Sequence, residues 1–390
     1  MKILYLHRTQ AKGVEGVHIG EIVKAWRRLD HTVEILSPVG AQLGDAPAAA
    51  GSSPTGIKQK LFKFVSSRLP EFFFELAELA YNLIALNQAR ALGKPNVEFI
   101  FERFAIFAIA GAYLSKRWNV PFVVEINYTS RSHLVRERSG LLKPLAYRLD
   151  RYIFSRATGL VAVSTRLKEH LMADYGIEGN RIIVLPNAAD PDVFDPEKVA
   201  KPSAYADLQG KIIGFVGGFY PWHGLDLLLQ AFELMAARVP DSKLMLIGDG
   251  PMLPAIREQS EKLGLASRVI LTGRIGHKEL PGYIRLFDIG VMPDSNDYGS
   301  PMKIFEYMSL RKPVVVPDYG PLLDAIENGK EGRIFKARDV QQMADCLTMM
   351  LTDQAAYDRM SEQARNKILS KHNWLNNGKA ILAMLPGRAK

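Results

Sequence analysis

Cysteine is almost missing from this chain: Cys346 is the single one in 390 residues. That excludes an internal disulfide framework and a zinc site built from cysteine pairs. It suits a reducing cytoplasm, the compartment expected here. Long apolar runs are missing too, since no stretch reaches the roughly 20 uninterrupted apolar residues that a bilayer span needs. The first residues, Met1–Leu6, pass directly into a strand pattern without the basic head, apolar run and small-residue cleavage site of a secretory signal. No nucleic-acid module signature is present, and the basic residues do not alternate with a platform of aromatics, so no nucleic-acid partner is expected. Acidic residues are scarce in one half only. Residues 1–190 hold 17 of them against 25 Lys/Arg, a net +8, whereas residues 191–390 hold 24 against 25, a net +1. The overall +9 therefore belongs almost wholly to the first half, which points that half toward an anionic membrane surface or a charged acceptor.

What is present is ordinary globular material, with 47% hydrophobic and 23% charged residues over a length comfortable for two domains. Short apolar strand patterns occur at Lys2–Leu6, His31–Leu36, Asn96–Phe101, Pro121–Ile126, Gly159–Val163 and Arg181–Leu185, with helical segments such as Ile19–Leu29, Ile106–Arg117 and Ser164–Tyr175 between them. The alternation restarts at Lys211–Val216 and continues through Lys243–Ile247, Val269–Thr272, Ile289–Met292 and Pro313–Val316, with helices between. Two successive βα series predict an α/β protein of two doubly wound, Rossmann-like domains. In such domains ligands bind beyond the C-terminal strand ends. The expected division is residues 1–190 and 191–370, with 187–203 as a Pro- and Asp-containing linker and 371–390 as a terminal helix returning to the first domain. Ala41–Thr55 reads as a low-complexity loop. Ile57–Phe74 mixes Lys58, Lys60, Lys63 and Arg68 with Phe62, Phe64 and Phe72–Phe74. It can be an amphipathic element on an anionic membrane or a helix completing the first core, with Pro70 limiting its continuity.

Three segments at strand ends of the second series carry the chemistry. Val216–Gly224 (VGGFYPWHG) offers Gly217 and Gly218, where the backbone can approach a ligand, and His223–Gly224 just before a helix start. Ile247–Pro251 (IGDGP), with Gly250, is a second strand-end turn. In Tyr298–Met308 (YGSPMKIFEYM), Ser300 is expected to cap a helix and Pro301 to occupy its first position. The amides of Met302, Lys303 and Ile304 would then face a ligand with the positive helix end behind them, and Lys303 adds a full charge. A diphosphate would sit there, and Glu306 would accept hydrogen bonds from ribose. A solvated Lys–Glu helical pair is the plain alternative. Asp190–Asp192 has an Asp-x-Asp form but reads as a turn, so no metal site is expected.

With these motifs in place, the chain resembles the retaining GT-B glycosyltransferases of family 4 along essentially its whole length. The resemblance rests on Gly217–Ala231, Ile247–Pro251, Gly273–Ile275, the Asp288–Pro293 strand and Ser300–Met308, with Pro186-Asn187, Phe194 and Pro196 as an interdomain element. Glu102–Phe104 and Glu125–Asn127 look like the polysaccharide-assembly branch. The resemblance implies two Rossmann-like domains facing a cleft, with the nucleotide sugar held mainly by the second. It places Glu306 on the ribose, Arg274, Ile275 and Gly250 on the base, and Asp297, Tyr298, Gly299, Ser300 and Pro301 around the donor sugar. The donor would be a UDP-sugar such as UDP-glucose, and the acceptor a saccharide or lipid-linked saccharide, in exopolysaccharide assembly at the inner membrane face. No essential metal or cofactor is implied, nor a dedicated protein base. The sequence departs from the family where Tyr298 replaces the first glutamate of a paired motif, and where Gly218 and His223 replace a phosphate-binding Arg and Lys. Lys303 and His223, with Glu125, are therefore the expected catalytic residues. Gly16, His18, Asn127 and Arg131 are placed on the acceptor side. A nucleotide-sugar epimerase and a non-catalytic nucleotide-binding homologue are the competing readings.

Overall fold

A computed structural model describes residues 1–11, 13–39, 71–92, 96–132 and 140–387. Most of Ile57–Phe74 and all of Ala41–Thr55 lie outside these residues. The chain separates into two compact units. One comprises Met1–Val163, Leu167–Leu185 and Asn377–Lys390, and the other Ser164–Arg166 and Pro186–Asn376.

The first unit is built on a six-stranded sheet in the order β2-β1-β3-β4-β5-β6, with all described pairings parallel. Its strands are β1 (Lys2–Leu6), β2 (Thr32–Leu36), β3 (Phe99–Arg103), β4 (Phe122–Ile126), β5 (Gly159–Ala162) and β6 (Ile182–Val184). Buried parallel strands read as near-continuous apolar runs because both faces are covered. Leu4, Leu6, Ile100, Phe122 and Val124 join one core. Tyr5 and Phe101 pack edge-to-face on Trp26 of helix α1 (Val14–Arg28), with ring centroids 6.1 and 5.0 Å away. Such aromatic pairs contribute about 0.5–1.5 kcal/mol each beyond their buried area. Trp26 also donates its indole N–H to the Gly378 carbonyl at 3.1 Å, so the chain end from Asn377 packs on α1.

The second unit repeats the principle with the strand order β12-β11-β10-β7-β8-β9. Here β7 is Lys211–Val216, β8 Ser242–Ile247, β9 Val269–Gly273, β10 Ile289–Val291, β11 Val314–Pro317 and β12 Gly332–Phe335. Alternate residues feed different cores: Ile213, Phe215, Leu244 and Leu246 on one face, Ile212, Met245 and Ile247 on the other. Segment 187–203, expected as a linker, buries Ala188, Ala189, Asp190 and Phe194 and is otherwise half-buried or exposed. Phe194 is buried, and its carbonyl accepts from Ser309 Oγ at 2.8 Å and Arg365 Nη1 at 2.9 Å. Asp190 Oδ1 accepts from the Asp192 amide at 3.0 Å, which makes the Asp-x-Asp sequence a tight turn.

Strand order reverses between β1 and β3 in the first sheet and between β7 and β10 in the second. Connections leave in opposite directions at such a point, so the crevice at the strand C-termini stays open for a ligand. Both clusters of chemistry-bearing residues lie there.

Candidate active site

In the second unit, three strand-end turns interlock. The Gly217 amide donates to the Ile247 carbonyl at 3.0 Å, Gly248 to Gly273 at 2.9 Å, and Phe219 to Asp249 at 2.9 Å. Gly248 has φ of 143°, and a Cβ there would lie 1.9 Å from the Gly217 oxygen, so only glycine lets these turns close. Gly250 is held equally near, because a Cβ on it would meet the Phe219 oxygen at 2.6 Å. Arg274 beyond β9 is exposed and sits 3.7 Å from Asp249, and Ile275 is half-buried beside it.

Beyond β10, the chain reaches helix α9 (Met302–Ser309) through the loop 294–301. The Asn296 carboxamide oxygen shapes this loop by accepting from the amides of Tyr298 at 3.2 Å and Gly299 at 2.6 Å. Asp297 is exposed on it, and burial followed by nearby Asp297 raises the Tyr298 phenol above its ordinary range. Ser300 does not cap the helix. Pro301, in extended conformation, is the N-cap residue, with no side-chain cap. The Ser300 hydroxyl is engaged elsewhere, accepting from the Asn187 amide at 2.9 Å, while the Asn187 carboxamide donates to the Ser300 carbonyl. The Pro186-Asn187 element thus pins the loop that leads into α9. The first-turn amides of Met302, Lys303 and Ile304 remain without intrahelical acceptors, as in any helix.

Lys303 folds back beneath the glycine turn. Its Nζ lies 4.2 Å from the Phe215 ring centroid, and a Cβ on Gly217 would be 2.7 Å from it. The nitrogen is buried and has no hydrogen-bond partner among the described residues. Burial pulls its pKa down to about 7, against the opposing pull of Glu306. Glu306 is itself buried and lies 3.4 Å from His277 Nε2, a neighbour that sequence reasoning missed. Nothing in the local pattern links His277 to a glutamate 29 residues away.

His223, expected to donate a hydrogen bond or to assist as a cation, engages its Nδ1 within the turn. Its Nδ1 is 2.5 Å from the Gly218 carbonyl, which can only accept, so the proton is on Nδ1. Burial, and then the charge of Lys303, hold the imidazole at about 4. It is neutral at neutral pH and presents Nε2 as an acceptor. A second missed group is Asp294, buried at the end of β10, which accepts from Tyr319 OH and Arg338 Nη1, each at 2.9 Å. The position after a strand was its only sequence signal.

The first unit holds a different arrangement. Glu125 on β4 is fully buried. It accepts from His18 Nε2 at 2.8 Å on one oxygen, and from Arg103 Nη1 at 2.5 Å and Asn127 Nδ2 at 2.8 Å on the other. Burial alone would raise its pKa, but His18 and Arg103 outweigh it and bring the carboxyl to about 2. A carboxylate so held is a poor proton acceptor. Glu125 anchors His18, Asn127 and Arg103, the last not anticipated as a site residue. Gly16 is required by close approach, since a Cβ there would fall 2.1 Å from the Ala11 oxygen. Arg131 lies apart from this cluster, stacked 4.5 Å over the Tyr147 ring and 3.8 Å from Asp174. It lines a cavity of about 680 Å³ with Thr129, Ser130, Ser132 and Lys143.

Comparison with known proteins bears on both units. Residues 13–193 match the profile of Glycosyltransferase Family 4, and residues 198–367 that of Glycosyl transferases group 1. The chain is 25% identical over 259 residues to alpha-D-kanosaminyltransferase of Streptomyces kanamyceticus, covering 64% of this chain and 66% of that protein. It is 24% identical to the GDP-mannose-dependent alpha-(1-6)-phosphatidylinositol monomannoside mannosyltransferase of Mycolicibacterium smegmatis, covering 78% of this chain and 80% of that one. The crystal structure of Anabaena Alr3699/HepE in complex with UDP shares the fold with a TM-score of 0.72 at 17% identity, covering 98% of this chain and 99% of that one. Two reversed-order parallel sheets, glycine-built strand-end turns and profiles that together span both units lead to one assignment: the chain belongs to the GT-B glycosyltransferases of the family 4 type.

Proposed function

We propose that this protein transfers a hexosyl group from a UDP-sugar such as UDP-glucose to a saccharide or lipid-linked saccharide acceptor, with retention at the anomeric carbon. The observation that carries the reading is the buried Lys303 ammonium beside Gly217, without a hydrogen-bond acceptor among the described residues. A buried cation left unpaired costs stability, so its persistence calls for an anionic ligand. The diphosphate lies on the Gly217–Gly218 turn and the first-turn amides of Met302 and Lys303. Negative charge that develops as the nucleotide leaves is stabilised by these preorganised groups, without recourse to a metal ion. Glu306 accepts from the ribose in place of its contact with His277, and Arg274, Ile275 and Gly250 border the base. Asp297, Tyr298, Gly299, Ser300 and Pro301 surround the donor sugar. With Glu125 held ionised, the leaving phosphate takes the acceptor proton. His18, Asn127, Gly16 and Arg131 serve the acceptor side. UDP is preferred over other nucleotides on the family resemblance and because Anabaena HepE is seen with UDP; the M. smegmatis relative depends on GDP-mannose.

The setting we assign is the cytoplasmic face of a membrane in polysaccharide assembly. Among the described residues no helix is long and apolar enough to cross a bilayer. Helix α2 (Glu71–Ala91) nonetheless leaves Phe73, Leu76, Leu83 and Ile84 exposed, and the first half carries the net positive charge. An apolar stripe on a basic body suits peripheral contact with anionic lipid. Co-sedimentation with anionic vesicles at low salt, lost in the double variant Leu83→Glu/Ile84→Glu, is the expected result; equal sedimentation of both proteins removes the membrane contact.

A thermal-unfolding panel of nucleotide sugars tests the donor. The right one, at a hundred times its dissociation constant, adds about 2.7 kcal/mol of stability, and radiolabelled transfer or NMR of the product gives the anomeric outcome. Binding without turnover of any donor would leave a nucleotide-binding homologue, and isomerised donor without acceptor would indicate an epimerase.

A further inference from the structure

The turn that begins with Gly217 carries more than phosphate-binding backbone. Past Gly218, Tyr220 and Trp222 stack face to face, with centroids 4.6 Å apart and planes 3° from parallel. Both are exposed, Tyr220 at 39% and Trp222 at 60%. Two large aromatic rings presented to solvent are costly to leave uncovered, and stacking on each other hides only one face of each.

The platform is rigidly mounted. The 3-10 turn Pro221–His223 carries it, with the His223 amide donating to the Tyr220 carbonyl at 3.0 Å and the Tyr220 amide to Gly218 at 3.0 Å. Phe219 beneath is fully buried and bonded through its backbone to Asp249 and Met252. The mounting also explains the departure at Gly218, because a Cβ there would meet the Tyr220 ring at 2.4 Å. Where the family resemblance calls for arginine, this chain has Tyr220 filling the space a longer side chain would need.

Position indicates the occupant. The Lys303 ammonium lies 4.2 Å from the Phe215 ring, that ring 5.6 Å from His223, and His223 6.2 Å from Trp222. Short steps therefore link the cation to the platform. The donor sugar, bonded to the phosphate that Lys303 would hold, belongs with the loop 297–301. With the donor sugar placed there, a ring on Trp222 is assigned to the acceptor. Pyranoses offer flat faces of C–H groups that pack on aromatic rings, while their hydroxyls stay wet at an exposed site. Neither ring carries a charge, so what the platform offers is an aromatic face and not an ion pair.

We propose that Tyr220 and Trp222 form a saccharide-stacking platform that takes a pyranose ring of the acceptor, making the acceptor a glycan. This rests on the glycosyltransferase reading above. The test uses the full-length protein as wild type, Trp222→Ala and Trp222→Phe, with UDP as the donor-site probe and chitotriose, maltotriose and lactose as saccharide probes. With UDP present, at least one saccharide should change the tryptophan fluorescence of the wild type saturably. Trp222→Ala should lose that response and, with the transferring pair of substrates, raise the acceptor KM about tenfold, equivalent to 1.4 kcal/mol, with little change in kcat. Trp222→Phe, which keeps a ring face, should recover most of the affinity. Stabilisation by UDP should be the same in all three proteins. Unchanged acceptor KM in Trp222→Ala overturns the proposal, as does a fluorescence response to anionic vesicles but to none of the saccharides. If UDP and UDP-sugars fail to stabilise the wild type at all, the glycosyltransferase reading itself has failed, and the two failures are thereby distinguished.

Discussion

The strand ends of the two sheets each carry a buried charge, and the charges are treated in opposite ways. Glu125 in the first unit has three donors on its two oxygens. Lys303 in the second lies on the face of Phe215 and feels Glu306, but its nitrogen has no hydrogen-bond partner among the described residues. The pKa values follow: about 2 for the satisfied carboxyl and about 7 for the unsatisfied ammonium. A charge that is paired from all sides organises its neighbours and has little capacity left for chemistry. A charge held in a low-dielectric place without a partner is poised to gain one. Burial alone does not separate an anchor from a ligand-binding group; the number of partners does.

The largest way to break this comparison is to remove the anchor. Glu125→Ala removes the carboxylate that Arg103, His18 and Asn127 share in this buried cluster, and should cost about 3–5 kcal/mol in denaturant unfolding of the first unit. UDP-glucose affinity per folded molecule should persist. A loss under about 1 kcal/mol would mean the cluster is not the anchor described. The complementary variant, Lys303→Ala, should lower turnover about 10²–10³-fold, the cost typical of deleting a preorganised stabilising group. It should leave the unfolding temperature unchanged or higher, since an unpaired charge has been removed. Turnover near that of the wild type, followed by UDP release, would end the assignment of Lys303.

A third test uses pH. The folded Lys303 pKa of about 7 lies below its ordinary value, so its buried charge opposes folding fully below pH 7, and the cost is relieved as pH rises from about 7 towards the unfolded pKa. Binding of a diphosphate favours the protonated form. UDP-glucose affinity should therefore be highest below about pH 7 and fall, by about fivefold, between about pH 7 and about pH 8, read by calorimetry with matched proton uptake. The dependence should vanish in Lys303→Ala. His223, at about 4, titrates outside this window. The smallest effect is expected from Ser300→Ala, which loses the bond from Asn187 and should cost about 1 kcal/mol, a loop effect. Asn187→Ala removes a different bond, from its carboxamide to the Ser300 carbonyl, so the two losses should add in the double variant; a double loss no larger than either single one would mean the contacts form and break as one unit.

Much of the scaffold was legible before any coordinates. The strand patterns at Lys2–Leu6 and Lys211–Val216 coincide with β1 and β7, because a strand buried on both faces leaves a dense apolar run. β12 at Gly332–Phe335 carries no such signal, since four residues opening with glycine and carrying Arg333 make no apolar run. Helices Glu71–Ala91 and Lys143–Arg156 were also passed over; the second carries many polar residues and buries only a few side chains. At the site, the glycine turns and the Lys303–Glu306 pair could be named from sequence. Their neighbours His277, Asp294 and Arg103 could not, because nothing local brings them together with the residues they meet.

Local chemistry, then, determined by itself that this chain makes two parallel α/β sheets with glycine-lined strand ends and a lysine in the first turn of a helix. Only the tertiary structure decided what each charge faces. It gave Glu125 three partners from distant stretches of chain, drew the proton of His223 onto Nδ1 through the Gly218 carbonyl, engaged Ser300 with Asn187 and left Lys303 alone under Gly217. Periodicity reports how a residue is buried, but pairing depends on which separate segments the fold brings within a few ångströms, and electrostatic character follows from that pairing.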